Sequence, residues 1–270
     1  MRKKVLRSLI LGIFGLAWLL YVQSKQPSPP PAPARLPTPA KVSLNPRHPQ
    51  DFNEAKSLLK RLYPSGQEIY CGCNYNLDRV PRIDRTACGF KGQGARSQRI
   101  EWEHVVPASV FGRHFVEWTK GHPDCWQSGH MEKGRACARK TSAEFRYMEA
   151  DLYNLLPAVG TLNGARSDYA YGEIKGEARE FGGCDFEVSR QIVEPRPEIR
   201  GDLARIYFYM DAQYPGFNII TKENTGLLAA WDRDDPMDEY ERVRLSKIAK
   251  QQGNSFFIGR LARLASAERP

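Results

Sequence analysis

Apolar residues recur every three or four positions in five segments of the chain, which is the spacing of an amphipathic α-helix. The segment that starts near Ser142 is expected to stop at Pro157, because proline lacks the N–H that a continuing helix needs. The predicted helices are 51–63, the segment from Ser142, 201–214, and two more near 222–232 and 236–251.

The stretch between the first two helices has a different pattern. Residues 65–98 are rich in Gly, Cys, Arg and Asp, and we expect loops and short strands there. Residues 98–106, QRIEWEHVV, then combine strand-forming Ile, Trp and Val before Pro107 ends the run. No internal repeat is visible. The mixture predicts a helix-rich α+β fold with its chemistry in the irregular middle third.

Glu101, Glu103 and His104 interrupt this otherwise apolar strand. Strand alternation directs Glu103 and His104 to opposite faces, unless the strand ends at His104 and lets both reach one cleft. The alternative is a salt-bridged carboxylate beside a hydrogen-bonded histidine with no chemistry. The chain has no H-E-x-x-H motif, so a zinc-protease helix is not supported.

The N-terminal part of the chain is not typical of a folded core. Residues 1–24 combine a basic start with 14 apolar residues, Leu9–Val22, and this is the layout of an export signal. Spanning a bilayer takes about 20 residues, and no clear cleavage site follows, so a signal peptide and an N-terminal membrane anchor both remain open. Residues 25–50 are predicted to be a proline-rich spacer, and residues 51–270 the folded domain.

The net charge of +9 belongs mostly to this N-terminal part. The first 50 residues carry eight basic and no acidic side chains, which leaves 32 basic and 31 acidic residues in the remainder. Basic residues are locally concentrated over 79–99 and 133–146. Such clusters either bind phosphates or form a solvated face.

Six cysteines follow the export signal. An even number in an exported chain predicts three disulfides, for which fifteen pairings exist. A zinc site with His122 and His130 is the competing interpretation, but the spacing matches no common zinc pattern. The cysteines are Cys71, Cys73, Cys88, Cys125, Cys137 and Cys184.

Two asparagines, Asn154 and Asn163, occur in the segment DLYNLLPAVGTLNGAR. Amide oxygens are hard ligands that suit Mg²⁺. Asparagine also forms turns and helix caps, and Asn163-Gly164 is a favourable turn pair. The combination of WEH with this downstream segment is more specific than either part alone.

The combined motifs resemble the bacterial endonuclease I family over residues 58–257. The resemblance rests on YCGC at 70–73, IEWEHVVPAS at 100–109, CWQ at 125–127 and YMEADLYNLLPAVGTLNGAR at 147–166, with ACGF, GRACA, ARIYFYM and IAKQQGN as further matches. It implies a single, disulfide-stapled α+β domain that contains a ββα-metal (His-Me finger) active-site motif. It also implies an exported, metal-dependent, non-specific endonuclease that leaves 5′-phosphates.

The resemblance assigns roles to matching positions. It makes His104 the general base, Glu103 and Asn163 the ligands of one Mg²⁺, and Arg135 the phosphate-contacting arginine, although Lys133 replaces a glycine of the family's GGR segment. Mn²⁺ or Ca²⁺ are alternative ions. Glu149 joins the catalytic set as a polar group that supports it. The other supporting residues are Glu101, Asn154 and Arg166.

The resemblance also predicts partners, location and disulfide pairing. The partner is DNA, with RNA as a second candidate, bound mainly through its phosphates by a monomer in the periplasm or outside the cell. The pairing is Cys73–Cys88 and Cys125–Cys137, which leaves Cys71–Cys184, and a late cysteine pair of many relatives is missing, with Tyr240 in that region. The alternative function is a catalytically silent nucleic-acid-binding or DNA-uptake protein of the cell envelope.

Overall fold

A computed structural model describes residue 42 and residues 44–78, 80–176 and 178–255, all within one compact unit. The predicted signal or anchor and most of the predicted spacer lie outside the described residues. Within the described ranges, no helix has the length and apolar character needed to cross a membrane. Residues 44–50, which the prediction placed in the spacer, pack on the folded part, where the buried His48 ring stacks on Tyr147 at 3.6 Å.

The described residues form a mixed α and β fold with several short elements. The helices are α1 (Phe52–Leu62), α2 (Ala108–Gly112), α3 (Val116–Thr119), α4 (Gly134–Thr141), α5 (Ala143–Glu149), α6 (Gly160–Arg166), α7 (Arg200–Gln213), α8 (Lys222–Asp234) and α9 (Glu239–Gln252). The strands are β1 (Ser65–Gln67), β2 (Asn74–Asn76), β3 (Arg82–Asp84), β4 (Ile100–His104), β5 (Trp126–Gln127), β6 (His130–Met131), β7 (Leu155–Val159), β8 (Ala170–Tyr171), β9 (Phe186–Ser189) and β10 (Ile192–Pro195). This confirms the predicted helices near 51–63, 201–214, 222–232 and 236–251.

Strands β4 and β7 form the antiparallel pair that positions the candidate site. Ile100 lies opposite Val159, and His104 lies opposite Leu155. Helix α6 begins directly after β7, at Gly160. The remaining strands form the antiparallel sheet β1-β2-β3, the mixed sheet β8-β10-β9 and the hairpin β5-β6.

The helix predicted from Ser142 to Pro157 is wrong in its second half. Ser142 does cap the helix, by accepting a hydrogen bond from the backbone N–H of Phe145, but α5 ends at Glu149. A 3₁₀ turn and the fully buried strand β7 follow. Pairing with β4 overrides the helical spacing, and the Pro157 carbonyl accepts a hydrogen bond from Ile69 at 2.8 Å. Pro157 therefore lies inside a strand instead of stopping a helix.

Three disulfides join the irregular segments, and they confirm the pairing implied by the resemblance. They are Cys71–Cys184, Cys73–Cys88 and Cys125–Cys137. The last one ties the loop before β5 to α4, the helix that carries Arg135. A zinc site built on Cys125 and Cys137 is thereby ruled out, because both sulfurs are consumed.

Candidate active site

A cleft of about 740 Å³ lies where β4 ends, between α1 and α6. Its lining includes Glu101, Glu103, His104, Arg135, Asn163 and Arg166. Strand β4 ends at His104, as the sequence required for Glu103 and His104 to share one cleft. The structure therefore brings most of the predicted site residues to one place.

The His104 side chain is buried and makes a hydrogen bond at each ring nitrogen. Nε2 lies 2.9 Å from the backbone carbonyl of Glu149, so this nitrogen carries the proton and donates it. Nδ1 is then unprotonated and lies 3.3 Å from Nη2 of Arg135. Burial, and next the charge of Arg135, lower the pKa of His104 well below its ordinary value. The imidazole is therefore neutral at pH 7, and its Nδ1 accepts the hydrogen bond from Arg135 at the cleft.

The Phe52 ring forms one wall of the cleft beside the histidine. Its centroid lies 4.8 Å from that of His104. The Lys56 ammonium and the guanidinium groups of Arg135 and Arg139 lie 4.9, 5.7 and 5.3 Å from the Phe52 centroid. Phe52 thus fixes the imidazole plane and supports three cations next to it.

The buried carboxylate of Glu149 holds two arginines of α4. It accepts hydrogen bonds from Nε of Arg135 at 2.5 Å and from Nε of Arg139 at 2.6 and 2.8 Å. Glu149 does not line the cleft, whereas Arg135 does and is partly exposed. Glu149 therefore acts on the site through Arg135 and through its own carbonyl, which orients His104.

The Glu103 carboxylate is buried at the inner end of the cleft. Oε1 accepts a hydrogen bond from the Tyr70 hydroxyl at 2.8 Å and lies 3.3 Å from Nη1 of Arg166. Burial raises the pKa of Glu103 to about 7, although Arg166 and Tyr70 counteract this rise. Such a group gains from binding a cation, because the cation supplies the charge compensation that burial removes.

Arg166 also holds the backbone that follows β4. Its guanidinium donates to the carbonyls of His104 at 3.1 Å and Val105 at 2.6 Å. Asn154 holds the next residue from the other side, because its side chain accepts from the N–H of Val106 at 2.7 Å and donates to the Val106 carbonyl at 3.0 Å. Both supporting residues thus determine where His104 sits.

Asn154→Ala is expected to lower the free energy of unfolding by about 2–4 kcal/mol, because it leaves both backbone groups of Val106 buried and unpaired. Urea unfolding followed by circular dichroism measures this. Asn53→Ala, at an exposed position of α1, is the matched control and should change stability by less than about 0.5 kcal/mol. Equal stability of the two variants would contradict the role given to Asn154.

Four arginines of the two basic clusters noted in the sequence are paired with carboxylates in the fold. In residues 79–99, two arginines donate to Glu101. In residues 133–146, two arginines donate to Glu149. Arg79 lies outside the described residues. These four arginines therefore help to build the site.

The donors in the cleft fit a divalent cation of the Mg²⁺ type. Glu103 offers a carboxylate and Asn163 an amide oxygen, which are hard ligands, and both line the same open cleft. In the described ranges, Glu68, Cys71 and Cys73 are the group whose potential ligand atoms all lie within 4.8 Å of one another. Both sulfurs are in disulfides, and the Glu68 carboxylate accepts backbone N–H groups, so this group does not fit a metal.

Sequence reasoning missed several side chains that complete the cleft. They are Phe52, Lys56, Tyr70, Arg96 and Trp118. Tyr70 begins the YCGC motif, but its spacing does not indicate a contact with Glu103, which is 33 residues away. Phe52 lies on helix α1, and its contact with His104 depends on how that helix packs against the rest of the fold.

Comparisons with known proteins identify nucleases as the proteins that this chain is similar to. A family model described as Endonuclease I matches residues 56–258. The chain is 39% identical over 222 residues to the extracellular deoxyribonuclease of Aeromonas hydrophila, which covers 79% of this chain and 90% of that protein. It is also 39% identical over 214 residues to the periplasmic deoxyribonuclease of the same species, covering 76% of this chain and 84% of that protein.

A relative with lower identity aligns over a region of similar length. The chain is 34% identical over 212 residues to Endonuclease-1 of Buchnera aphidicola subsp. Acyrthosiphon pisum (strain APS). The alignment covers 76% of this chain and 78% of that protein. The region matched by the family model includes all the residues that line the cleft except Phe52.

Proposed function

Because this chain belongs to the endonuclease I family, we propose that it is an exported, metal-dependent endonuclease that hydrolyses phosphodiester bonds of DNA with little sequence preference. Strands β4 and β7 and helix α6 are the candidate ββα-metal motif of this enzyme. The names of the extracellular and periplasmic deoxyribonucleases among its relatives support both the substrate and the export.

The observation that carries the proposal is the state of His104. Its imidazole is neutral, its Nε2–H is engaged by the Glu149 carbonyl, and Nδ1 lies in the cleft beside Arg135. Nδ1 is held only by the 3.3 Å hydrogen bond from Arg135, so its lone pair can accept a proton from water once that arginine turns towards a phosphate. This arrangement suits a general base.

The chain's own residues divide the work of hydrolysis. Nδ1 of His104 accepts a proton from the attacking water, and the Glu149 carbonyl keeps the ring oriented while it gains charge. Arg135 presents N–H groups to the phosphate, and its Nε remains anchored on Glu149. The product is a 5′-phosphate and a free 3′-hydroxyl, as the family resemblance implies.

Glu103 and Asn163 are the residues that would hold Mg²⁺, with Mn²⁺ or Ca²⁺ as alternative ions. When bound, the ion supplies charge neutralisation on the phosphate and on the departing 3′ oxygen. An ion held by these two side chains would keep coordination positions for water and phosphate. Contacts of this kind bind the phosphate backbone of the DNA and do not depend on the identity of the bases. Sequence preference should therefore be weak.

A plasmid-degradation assay tests the proposal. Wild-type protein is expected to convert supercoiled DNA to fragments with Mg²⁺ and to leave it intact with excess EDTA. An RNA substrate in parallel measures the second candidate substrate. DNA binding without cleavage in Mg²⁺ or Mn²⁺ would overturn the proposal in favour of a silent nucleic-acid-binding protein, and cleavage that is equal in EDTA would overturn its metal dependence.

A further inference from the structure

Glu101 is a carboxylate at the rim of the cleft that the proposed chemistry does not use. Oε1 accepts hydrogen bonds from Nε of Arg96 at 3.1 Å and Nε of Arg99 at 2.8 Å. Oε2 accepts from Nη2 of Arg96 at 2.5 Å and from Nδ2 of Asn163 at 3.0 Å. Both oxygens are thus occupied, which makes Glu101 a poor candidate for a metal ligand or a general base.

The contact with Glu101 determines which way the Asn163 amide group is oriented. An asparagine amide has a donor end and an acceptor end of nearly equal shape, and an ionised carboxylate can only accept. Asn163 must therefore turn its NH₂ group towards Glu101 and its Oδ1 away from it. The other groups that contact the Glu101 oxygens are N–H donors of Arg96 and Arg99, so Glu101 acts as an acceptor in all four hydrogen bonds.

Two glycines of α6 make room for this arrangement. A Cβ atom at Gly160 would lie 2.7 Å from Oε1 of Glu101 and 2.8 Å from the backbone carbonyl of Arg96. A Cβ at Gly164, one turn later, would overlap the Arg96 guanidinium. Glycine is unfavourable inside a helix by roughly 1 kcal/mol relative to alanine. Here it lets the Arg96–Glu101 pair lie directly against the turn that carries Asn163.

We propose that Glu101 is the positioning residue of the cation site: by holding the Asn163 amide group, it directs the amide oxygen into the cleft as a metal ligand. Arg96 and Arg99 keep Glu101 in place, and Gly160 and Gly164 admit the pair. The inference rests on the proposed function, because it concerns the same metal site, and it goes further by assigning a role to a residue that does not touch the ion.

Metal binding without nucleic acid tests this proposal directly. Isothermal titration with MnCl₂ is expected to give Glu101→Ala a Kd about tenfold higher than wild type, as for other residues that orient metal ligands. Glu101→Gln keeps the shape but can offer either end of its amide to Asn163. It is therefore expected to raise the Kd at least about threefold.

A double-mutant cycle separates positioning from a general loss of stability. If Glu101 acts through Asn163, adding Glu101→Ala to Asn163→Ala should change the Mn²⁺ affinity by less than about twofold. Glu194→Ala is the matched control, since Glu194 also pairs with an arginine, at 2.8 Å from Arg200, and does not line the cleft. It should leave the Kd unchanged.

Different experimental results would refute the positioning role of Glu101 and the proposed nuclease function. Wild-type affinity in Glu101→Ala and Glu101→Gln, or full additivity with Asn163→Ala, would overturn the positioning role while the nuclease assignment stands. If wild-type protein binds no Mn²⁺ and cleaves no DNA, the proposed function itself fails. Thermal unfolding of each variant shows that the titrated protein is folded.

Discussion

His104→Ala is expected to lower the rate of DNA cleavage by about a hundred- to ten-thousandfold, the range that a positioned general base contributes. The structure gives the physical reason: the Nδ1 lone pair is the neutral basic group that faces the cleft beside Arg135. Cleavage rates should be measured under single-turnover conditions with saturating Mg²⁺, so that product release does not hide the chemical step.

The same variant should still bind DNA and metal. Arg135 stays anchored on Glu149, and Glu103 keeps its contacts with Tyr70 and Arg166. The Kd for a short duplex, measured in EDTA at fixed salt, is therefore expected to stay within about threefold of wild type, since binding depends chiefly on phosphate contacts.

A second histidine provides the matched control for this prediction. His122 is partly exposed, accepts a hydrogen bond from the backbone N–H of Asp124 and does not line the cleft. His122→Ala should cleave DNA at the wild-type rate. Wild-type cleavage by His104→Ala would remove the proposed base, and loss of activity in both variants would point to a general structural effect.

Local sequence predicted the parts of this site that depend on neighbouring residues. The strand-forming residues of QRIEWEHVV predicted a strand before Pro107, and β4 confirms it, although β4 ends at His104, two residues before the end of the predicted run. Asn163 lies on helix α6, although the pair Asn163-Gly164 also suits a turn. Here the helix packs closely against Glu101 and Arg96, and Gly160 and Gly164 allow this packing.

Contacts between distant segments were beyond the sequence. From the sequence, Glu101 could orient neighbouring groups or pair with an arginine, and the fold brings the Asn163 amide nitrogen to 3.0 Å from its carboxylate. The helix predicted to run as far as Pro157 failed for a related reason. The apolar spacing of residues 142–157 suits a helix, but the gain from pairing β7 with β4 is a tertiary effect that periodicity cannot express.

The ion-pair partners of the basic clusters were also beyond prediction from the sequence. A run such as residues 133–146 is attractive as a phosphate-binding surface when only the charges are counted. In the fold, Arg135 and Arg139 share the buried carboxylate of Glu149, which lies 14 and 10 residues further along the chain. Arg135 remains partly exposed in the cleft and can still meet a phosphate, so one cluster supplies both a structural and a functional arginine.

Glu103→Gln is expected to weaken Mn²⁺ binding at least about tenfold and to lower the cleavage rate by about a hundredfold or more. The substitution keeps the shape of the side chain and an oxygen that can accept the Tyr70 hydroxyl, but it removes the negative charge that a cation needs. Titration with MnCl₂ and single-turnover cleavage at several Mg²⁺ concentrations measure the two effects. Binding of Mn²⁺ with wild-type affinity would exclude Glu103 as a ligand.

Glu103→Ala separates the role of this carboxylate in the fold from its role in binding. It removes the metal ligand and also leaves the buried Arg166 guanidinium without its acidic partner, an effect that typically costs about 3–5 kcal/mol. Arg166 still donates to the carbonyls of His104 and Val105, which should reduce this cost. We therefore expect Glu103→Ala to be clearly less stable than Glu103→Gln in urea unfolding, while both variants lose metal binding to a similar degree. If the alanine variant alone lost metal affinity, Glu103 would act through Arg166 and the backbone after β4, and another side chain of the cleft would have to bind the ion.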